Sequence, residues 1–348
     1  MAKIIILGAG VMGSAFSVPC NENSHETIIA GTHLDNDFID QINQNDNFHP
    51  VLKTKLSSKT KFIKQNELSN KKYNSPDIIV IATNSKGLDW CPEQLKKICL
   101  ENRLPPILLL TKGLNVHNNQ YELLAEKLQR LLLQEGFDNI NISVVGGPCL
   151  ARDLANKIHS SVVVANKDIK IAQWLQELLR TNYYHISITN DIIGVEVCAA
   201  IKNIFSMIIG SAKGLNLKEK NNNQNEIDNL NATAALFNQS LYEMELFVSF
   251  LKGKKETVRG LAGIGDLYVS AAGGRNCLMG SYLGKGLLYS EAKETKMKNT
   301  TVEGAELAFE IYKLIIKDFN LKKMPLMISM IDSIVNNKKI NIKWEYFN

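Results

Sequence analysis

Residues 3–13 read Lys3-Ile4-Ile5-Ile6-Leu7-Gly8-Ala9-Gly10-Val11-Met12-Gly13. An apolar run without polar alternation is a strand covered on both faces, the kind found in parallel sheets. The glycines that follow fit G-x-G-x-x-G, and a helix-forming stretch begins directly after them. The three glycines then serve different ends. Gly8 permits a tight turn, Gly10 admits a pyrophosphate close to the backbone, and Gly13 lets helix and strand pack closely. Val11 and Met12 open the helix, whose free N–H groups attract phosphate charge. The reading is a dinucleotide cradle.

Outward from this stretch the same texture repeats. Apolar runs at 26–30, 76–85, 106–113, 142–148 and 160–166 alternate with amphipathic segments such as 121–134 and 169–179. Strand–helix alternation predicts a doubly wound parallel α/β sheet. Past Thr189 no strand-like pattern is convincing. Residues 192–212, 232–251, 301–316 and 324–336 all carry helical spacing, which predicts an all-helical second domain. The expected division is 1–189 for dinucleotide binding and 190–348 for the substrate, as a length of 348 residues favours. Segment 217–229 is polar and Asn-rich and is expected to be a flexible loop.

Forty basic against thirty-five acidic side chains leave a net charge of only +5. That is too weak and scattered for a nucleic-acid partner, yet it suits an anionic small molecule. Six cysteines without a C-x-x-C pair read as reduced thiols and predict no metal site. No apolar run approaches the roughly 18 residues of a membrane span, and the chain opens on a strand without a signal-like segment. A soluble, cytoplasmic protein is expected.

The strand at 26–30 runs into Gly31-Thr32-His33, with Thr32 a candidate cofactor contact. An acid here would grip the ribose of NAD, but the first one is Asp35, beyond the expected place. With no Arg present to hold a 2′-phosphate, NAD is the expected cofactor with NADP the other candidate. Discrimination between them is expected to be modest, with a lean to NADH.

Three further stretches carry chemistry. Lys112 ends a strand in Thr111-Lys112-Gly113, at the sheet edge where ligands bind. Lys202 interrupts a helix of small and apolar residues, and burial would lower its pKa toward acid–base work. Residues 259–276 read RGLAGIGDLYVSAAGGRN, a Gly-rich backbone able to wrap a ligand and present Asp266, Arg275 and Asn276. An Arg fork beside such backbone suits a phosphate.

Taken in order, GAGVMG (8–13), LLTKGL (109–114), GGPCLA (146–151), GVEVCAAIKN (194–203), GLAGIGDL (260–267), GGRN (273–276) and VEGAELA (302–308) resemble the NAD(P)-dependent glycerol-3-phosphate dehydrogenase family. The resemblance implies a Rossmann domain followed by a helical domain like that of 6-phosphogluconate dehydrogenase. It implies interconversion of sn-glycerol 3-phosphate and dihydroxyacetone phosphate by hydride transfer, linking glycolysis to glycerophospholipid synthesis. It also implies a homodimer.

By motif, Lys202 is expected to exchange the proton of the C2 hydroxyl, with Asn203 and Asp266 positioning it and Lys112 beside the substrate oxygens. Ser270, Arg275 and Asn276 are expected at the substrate, the last two on its phosphate. Gly147, Cys149 and Ala151 match a turn around nicotinamide and substrate. Lys112, Arg275, Thr301 and Glu303 match cofactor-contacting positions. The chain departs from the family pattern at Met12, Asn84-Ser85, Cys149, Ala232-Thr233 and Gln239. Two other classes stay in view: a related reductase of another small hydroxy or keto substrate, which would lack the phosphate clamp, and a non-catalytic NAD(H)-sensing protein, which would lack the base.

Overall fold

A computed structural model describes residues 1–99, 103–214 and 229–348. The expected Asn-rich loop at 217–229 therefore lies outside the described residues, apart from Asn229. The chain divides into two compact units: Met1–Lys112 with Leu123–Glu196, and Gly113–Glu122 with Val197–Asn348.

The first unit is built on one sheet of β1 (Lys3–Leu7), β2 (Glu26–Ala30), β3 (Lys61–Ile63), β4 (Ile78–Ile81), β5 (Ile107–Leu109), β6 (Ile142–Gly146), β7 (Ser160–Ala165) and β8 (Tyr184–Thr189). Their spatial order is β8-β7-β6-β5-β4-β1-β2-β3. The β1 side chains Ile4, Ile5, Ile6 and Leu7 are wholly buried, as are Ile78–Ile81 of β4. These strands must be covered on both faces, and helices α1 (Val11–Glu22), α2 (Asn36–Gln44), α3 (Cys91–Ile98), α4 (Leu124–Gln134), α5 (Ala151–Ala155) and α6 (Ile169–Leu179) belong to the same unit. The doubly wound sheet is as the sequence implied.

One pairing is antiparallel, β6 with β7. The helix between them, α5, has five residues and advances only about 7.5 Å, too little to return the chain along a strand. Strand β7 therefore starts at the edge where β6 ends. Two sheet strands escape a search for apolar runs. β8 alternates buried and exposed residues at its start, as an edge strand does, and β3 is only three residues long. Helix α4 begins at Leu124; Tyr121, expected inside it, lies in a hairpin of Leu114–His117 and Gln120–Leu123.

That hairpin clusters mostly with the second unit. The Tyr121 ring stands edge-on to Phe247 at 5.3 Å, and the Val116 N–H donates to Glu310 Oε1 at 3.1 Å. The rest of the unit is helical, as implied: α7 (Ile192–Ser211, crossing from the first unit), α8 (Leu230–Phe250), α9 (Asp266–Ala272), α10 (Arg275–Gly284), α11 (Tyr289–Thr295), α12 (Glu303–Asp318) and α13 (Pro325–Val335). Length and mean hydropathy alone would let Ile192–Gly214 cross a membrane, which corrects the expectation that no segment reaches that composition. In the structure 89% of its apolar window is buried in the protein.

Glycine fixes how α7 meets α10. A Cβ on Gly280 would lie 1.9 Å from the Met207 carbonyl oxygen, and one on Gly210 would lie 2.2 Å from that of Cys277. Backbone therefore touches backbone, and the first residues of α10 come to the level of Asn203 on α7.

Gln239, one of the departures noted above, is fully buried in α8 and donates to Glu243 at 3.2 Å; its own oxygen accepts from the Asn348 N–H at 3.0 Å. The Glu243 carboxylate accepts the Leu326 and Met327 N–H groups at 2.8 and 2.9 Å, capping the start of α13. Burial pushes its carboxyl up to about 7, against these hydrogen bonds. The folded state thus holds a proton that the unfolded state releases near 4.5, so this group's contribution to stability falls as pH rises between those values. The difference is on the order of 3 kcal/mol, or several degrees of Tm. Glu243→Gln should flatten the decline in Tm between about pH 4.5 and 7; identical slopes in the two proteins would remove this assignment.

Candidate active site

The carboxyl ends of the parallel strands in the first unit bring the predicted cradle together. Gly8 follows β1 with φ +115°, its N–H donating to the Ala30 carbonyl at 2.8 Å. A Cβ there would lie 2.8 Å from the Ala82 backbone, and one on Gly13 would meet the Gly8 carbonyl oxygen at 2.2 Å. Both glycines are demanded by the fold itself. Gly10 is different: its φ of −63° suits any residue, and a Cβ would meet nothing within 4 Å. The fold leaves open space over Gly10 at the start of α1, where the first N–H groups have no partner within the helix. That space and those donors fit a dinucleotide pyrophosphate.

Gly10→Val should therefore keep its Tm within about a degree yet weaken cofactor binding at least tenfold. Titration of NADH fluorescence and a thermal melt check the two halves. Unchanged affinity would place the dinucleotide elsewhere.

Val11 is 36% exposed at the head of α1, while Met12 is half-buried against the sheet's core. Thr32 lies two residues past the end of β2 and holds a turn closed by Asp35. At the ends of β5 and β6 the Lys112 ammonium donates to the Gly147 carbonyl at 3.1 Å, joining two residues predicted separately. Gly147 has φ +106°, and after it Cys149 and Ala151 are half-buried beside the same core.

The second unit gathers the remaining candidates. Lys202 on α7 is 8% exposed and Asp266 at the head of α9 is 3% exposed, and the two form an ion pair. The ammonium read from sequence as lone is thus buried with its compensating carboxylate, the condition under which burial is tolerated. Asn203, the next residue on α7, accepts from Asn276 Nδ2 at 3.1 Å. The same amide reaches Glu303 Oε2 at 3.4 Å, and Asn276 Oδ1 accepts the Gly304 N–H at 2.9 Å. Arg275 is ion-paired with Glu303. Ser270 lies one turn beyond Asp266 on α9, and Thr301 is exposed just ahead of α12.

The Gly-rich segment differs from its sequence reading. Most of it is helical, a π turn over Leu261–Gly265 running into α9, and a Cβ on Gly263 would collide with the Val258 carbonyl oxygen at 2.0 Å. Gly273 and Gly274 do present open backbone, with nothing within 4 Å of either Cβ position. They set Arg275 and Asn276 at the N-terminus of α10, where N–H groups and guanidinium together suit a dianion. Chemically the unit holds a buried lysine–aspartate ion pair and, at the head of α10, an arginine whose charge is balanced by a carboxylate. Nothing in the sequence signals that Glu303, read there only as a cofactor contact, pairs with Arg275; their separation of 28 positions hides it.

Comparison with known proteins agrees. A model of the NAD-dependent glycerol-3-phosphate dehydrogenase N-terminus matches residues 3–172, and one of the C-terminus matches 191–344. The NADP(+)-dependent glycerol-3-phosphate dehydrogenase of Archaeoglobus fulgidus is 30% identical over 319 residues, 89% of this chain and 89% of that protein. A glycerol-3-phosphate dehydrogenase (NAD(P)+) of Francisella tularensis subsp. mediasiatica is 31% identical over 94% of this chain and 91% of its own length. The fold is shared with the glycerol-3-phosphate dehydrogenases of Coxiella burnetii (TM-score 0.76, 24% identity, 97% of this chain and 96% of that one) and Plasmodium falciparum (0.81, 22%, 97% and 92%). Matched along nearly its whole length by both halves of one family, the chain belongs to the NAD-dependent glycerol-3-phosphate dehydrogenases.

Proposed function

We propose that this chain interconverts sn-glycerol 3-phosphate and dihydroxyacetone phosphate, with Lys202 exchanging the proton of the C2 hydroxyl. The observation that carries the reading is the buried Lys202–Asp266 pair in the same unit as the Arg275–Asn276 clamp. The nicotinamide, when bound, supplies or accepts the hydride at C2. Hydride can leave C2 only as the hydroxyl loses its proton, so a base must touch that oxygen, and the Lys202 amine takes it. In reduction the Lys202 ammonium polarises the carbonyl and then gives up its proton to the new hydroxyl.

Asp266 holds the lysine in place through their ion pair. Arg275 and Asn276 hold the phosphate, which competes with Glu303 for the guanidinium. Lys112, Gly147, Cys149, Asn203 and Ser270 complete the substrate's surroundings. Gly8, Gly10, Val11, Met12, Gly13, Thr32, Ala151, Thr301 and Glu303, with Lys112 and Arg275, serve the cofactor. A division at 189/190 into cofactor and substrate domains and a cytoplasmic location rest on the sequence pattern, and a homodimer and a link between glycolysis and glycerophospholipid synthesis on the family resemblance.

The test is a steady-state assay of dihydroxyacetone phosphate, dihydroxyacetone and a panel of 2-keto acids with NADH and NADPH in parallel. Dihydroxyacetone phosphate should be preferred by at least a hundredfold. A better unphosphorylated substrate would overturn the reading.

A further inference from the structure

We infer that Asp35 reads the 2′ position of the adenosine ribose and makes this chain specific for NAD over NADP. The inference rests on the cofactor reading above and sharpens it. By sequence Asp35 falls five residues past Ala30, the last residue of β2, too far along an extended strand to mark that strand's end. The chain instead turns at once. A Cβ on Gly31 would lie 2.4 Å from Ile39 Cδ1 and 2.9 Å from Asp35 Cβ, so only glycine lets the turn close this tightly. Asp35 Oδ2 accepts both the Thr32 N–H at 2.7 Å and the Thr32 hydroxyl at 2.9 Å. The carboxylate is thereby fixed at the carboxyl end of β2, where a dinucleotide fold places the acid that binds the ribose.

Two further observations support a ligand-directed role. Asp35 is the N-cap residue of α2, yet its side chain makes no capping bond to that helix and turns back to Thr32. It thus forgoes the usual use of an Asp in this position. Lys64, at the carboxyl end of the adjoining β3, is held by Asp40 at 2.7 Å, so this cation is already committed to another carboxylate. A carboxylate with one oxygen anchored on Thr32 can accept the 2′-hydroxyl with the other. A 2′-phosphate would face a like charge and lose that hydrogen bond. This replaces the modest discrimination expected from sequence, and it sets the chain apart from the Archaeoglobus relative, which is named for NADP(+).

The experiment titrates the full chain with NADH and NADPH, following nicotinamide fluorescence without any substrate. The wild type should bind NADH at least a hundredfold more tightly. Asp35→Asn keeps an oxygen for Thr32 but removes the charge, and should bring the ratio below about ten, chiefly by tighter NADPH binding at unchanged Tm. Asp35→Ser, which cannot span the turn in the same way, should move the ratio in the same direction. Equal wild-type affinities, or an Asp35→Asn variant that weakens both cofactors alike, would overturn the inference and leave Asp35 a turn residue. Tight NADH binding with no dihydroxyacetone phosphate reduction would instead sink the proposed reaction and leave the ratio standing. Binding of neither cofactor would overturn both.

Discussion

Lys202→Ala is expected to lower kcat for dihydroxyacetone phosphate reduction by about 10²–10⁴-fold, the usual worth of a positioned acid–base group, while NADH still binds. Lys202 is the buried ammonium of α7, ion-paired with Asp266. Removing the ammonium alone strands a buried carboxylate, which typically costs about 3–5 kcal/mol of stability. Turnover could then fall merely because the fold loosens. The Lys202→Ala/Asp266→Ala double variant separates these effects, because it removes both charges. It should recover much of the Tm lost in the single variant and none of the turnover. Activity within about tenfold of wild type in a variant that still melts cooperatively would sink the assignment of Lys202 as acid and base.

Arg275→Ala should reduce kcat/KM for dihydroxyacetone phosphate by at least about 2–3 kcal/mol, roughly thirty- to hundredfold, and cost little for unphosphorylated dihydroxyacetone. The guanidinium is half-exposed at the head of α10 and ion-paired with Glu303, so it meets an anion with its charge partly balanced. A phosphate dianion outcompetes one carboxylate because the fork, the Asn276 amide and the α10 N–H groups act on it together. The phosphate takes no part in the chemistry, but its binding energy orients C2, so KM and kcat should both suffer. Arg275→Lys keeps the charge and loses the fork, and should remain impaired. Equal losses for the phosphorylated and unphosphorylated substrates would show that Arg275 serves the cofactor or the fold.

Local signals carried much of the architecture. Ile4–Leu7 and Ile78–Ile81 announced central strands because burial on both faces demands apolar residues at every position. Residues 8–13 announced the cradle because its three glycines and its helix are contiguous, so one turn of chain contains the whole motif. Lys202 stood out because a cation inside an apolar helical stretch is costly unless something repays it.

What lies far apart in the chain was settled only by folding. The sequence assigns Gly8, Gly10 and Gly13 their separate parts by motif alone, and packing adds that the fold itself requires the first and last while nothing stands within 4 Å of a Cβ on Gly10. It shows a lone Lys202, whereas burial is tolerable because Asp266 arrives from 64 residues away. It shows Arg275 as a free clamp, whereas Glu303 balances it from the next but one helix. And it sets Asp35 at the wrong spacing, because spacing assumes an extended strand while Gly31 permits an abrupt turn. The sequence alone determined which chemical groups this protein has and, outside the Gly-rich segment and the hairpin that holds Tyr121, on which kind of element each sits. Which of them are paired, and so what charge and space each site offers a ligand, is a property of contacts between distant segments, and only the tertiary structure decided it.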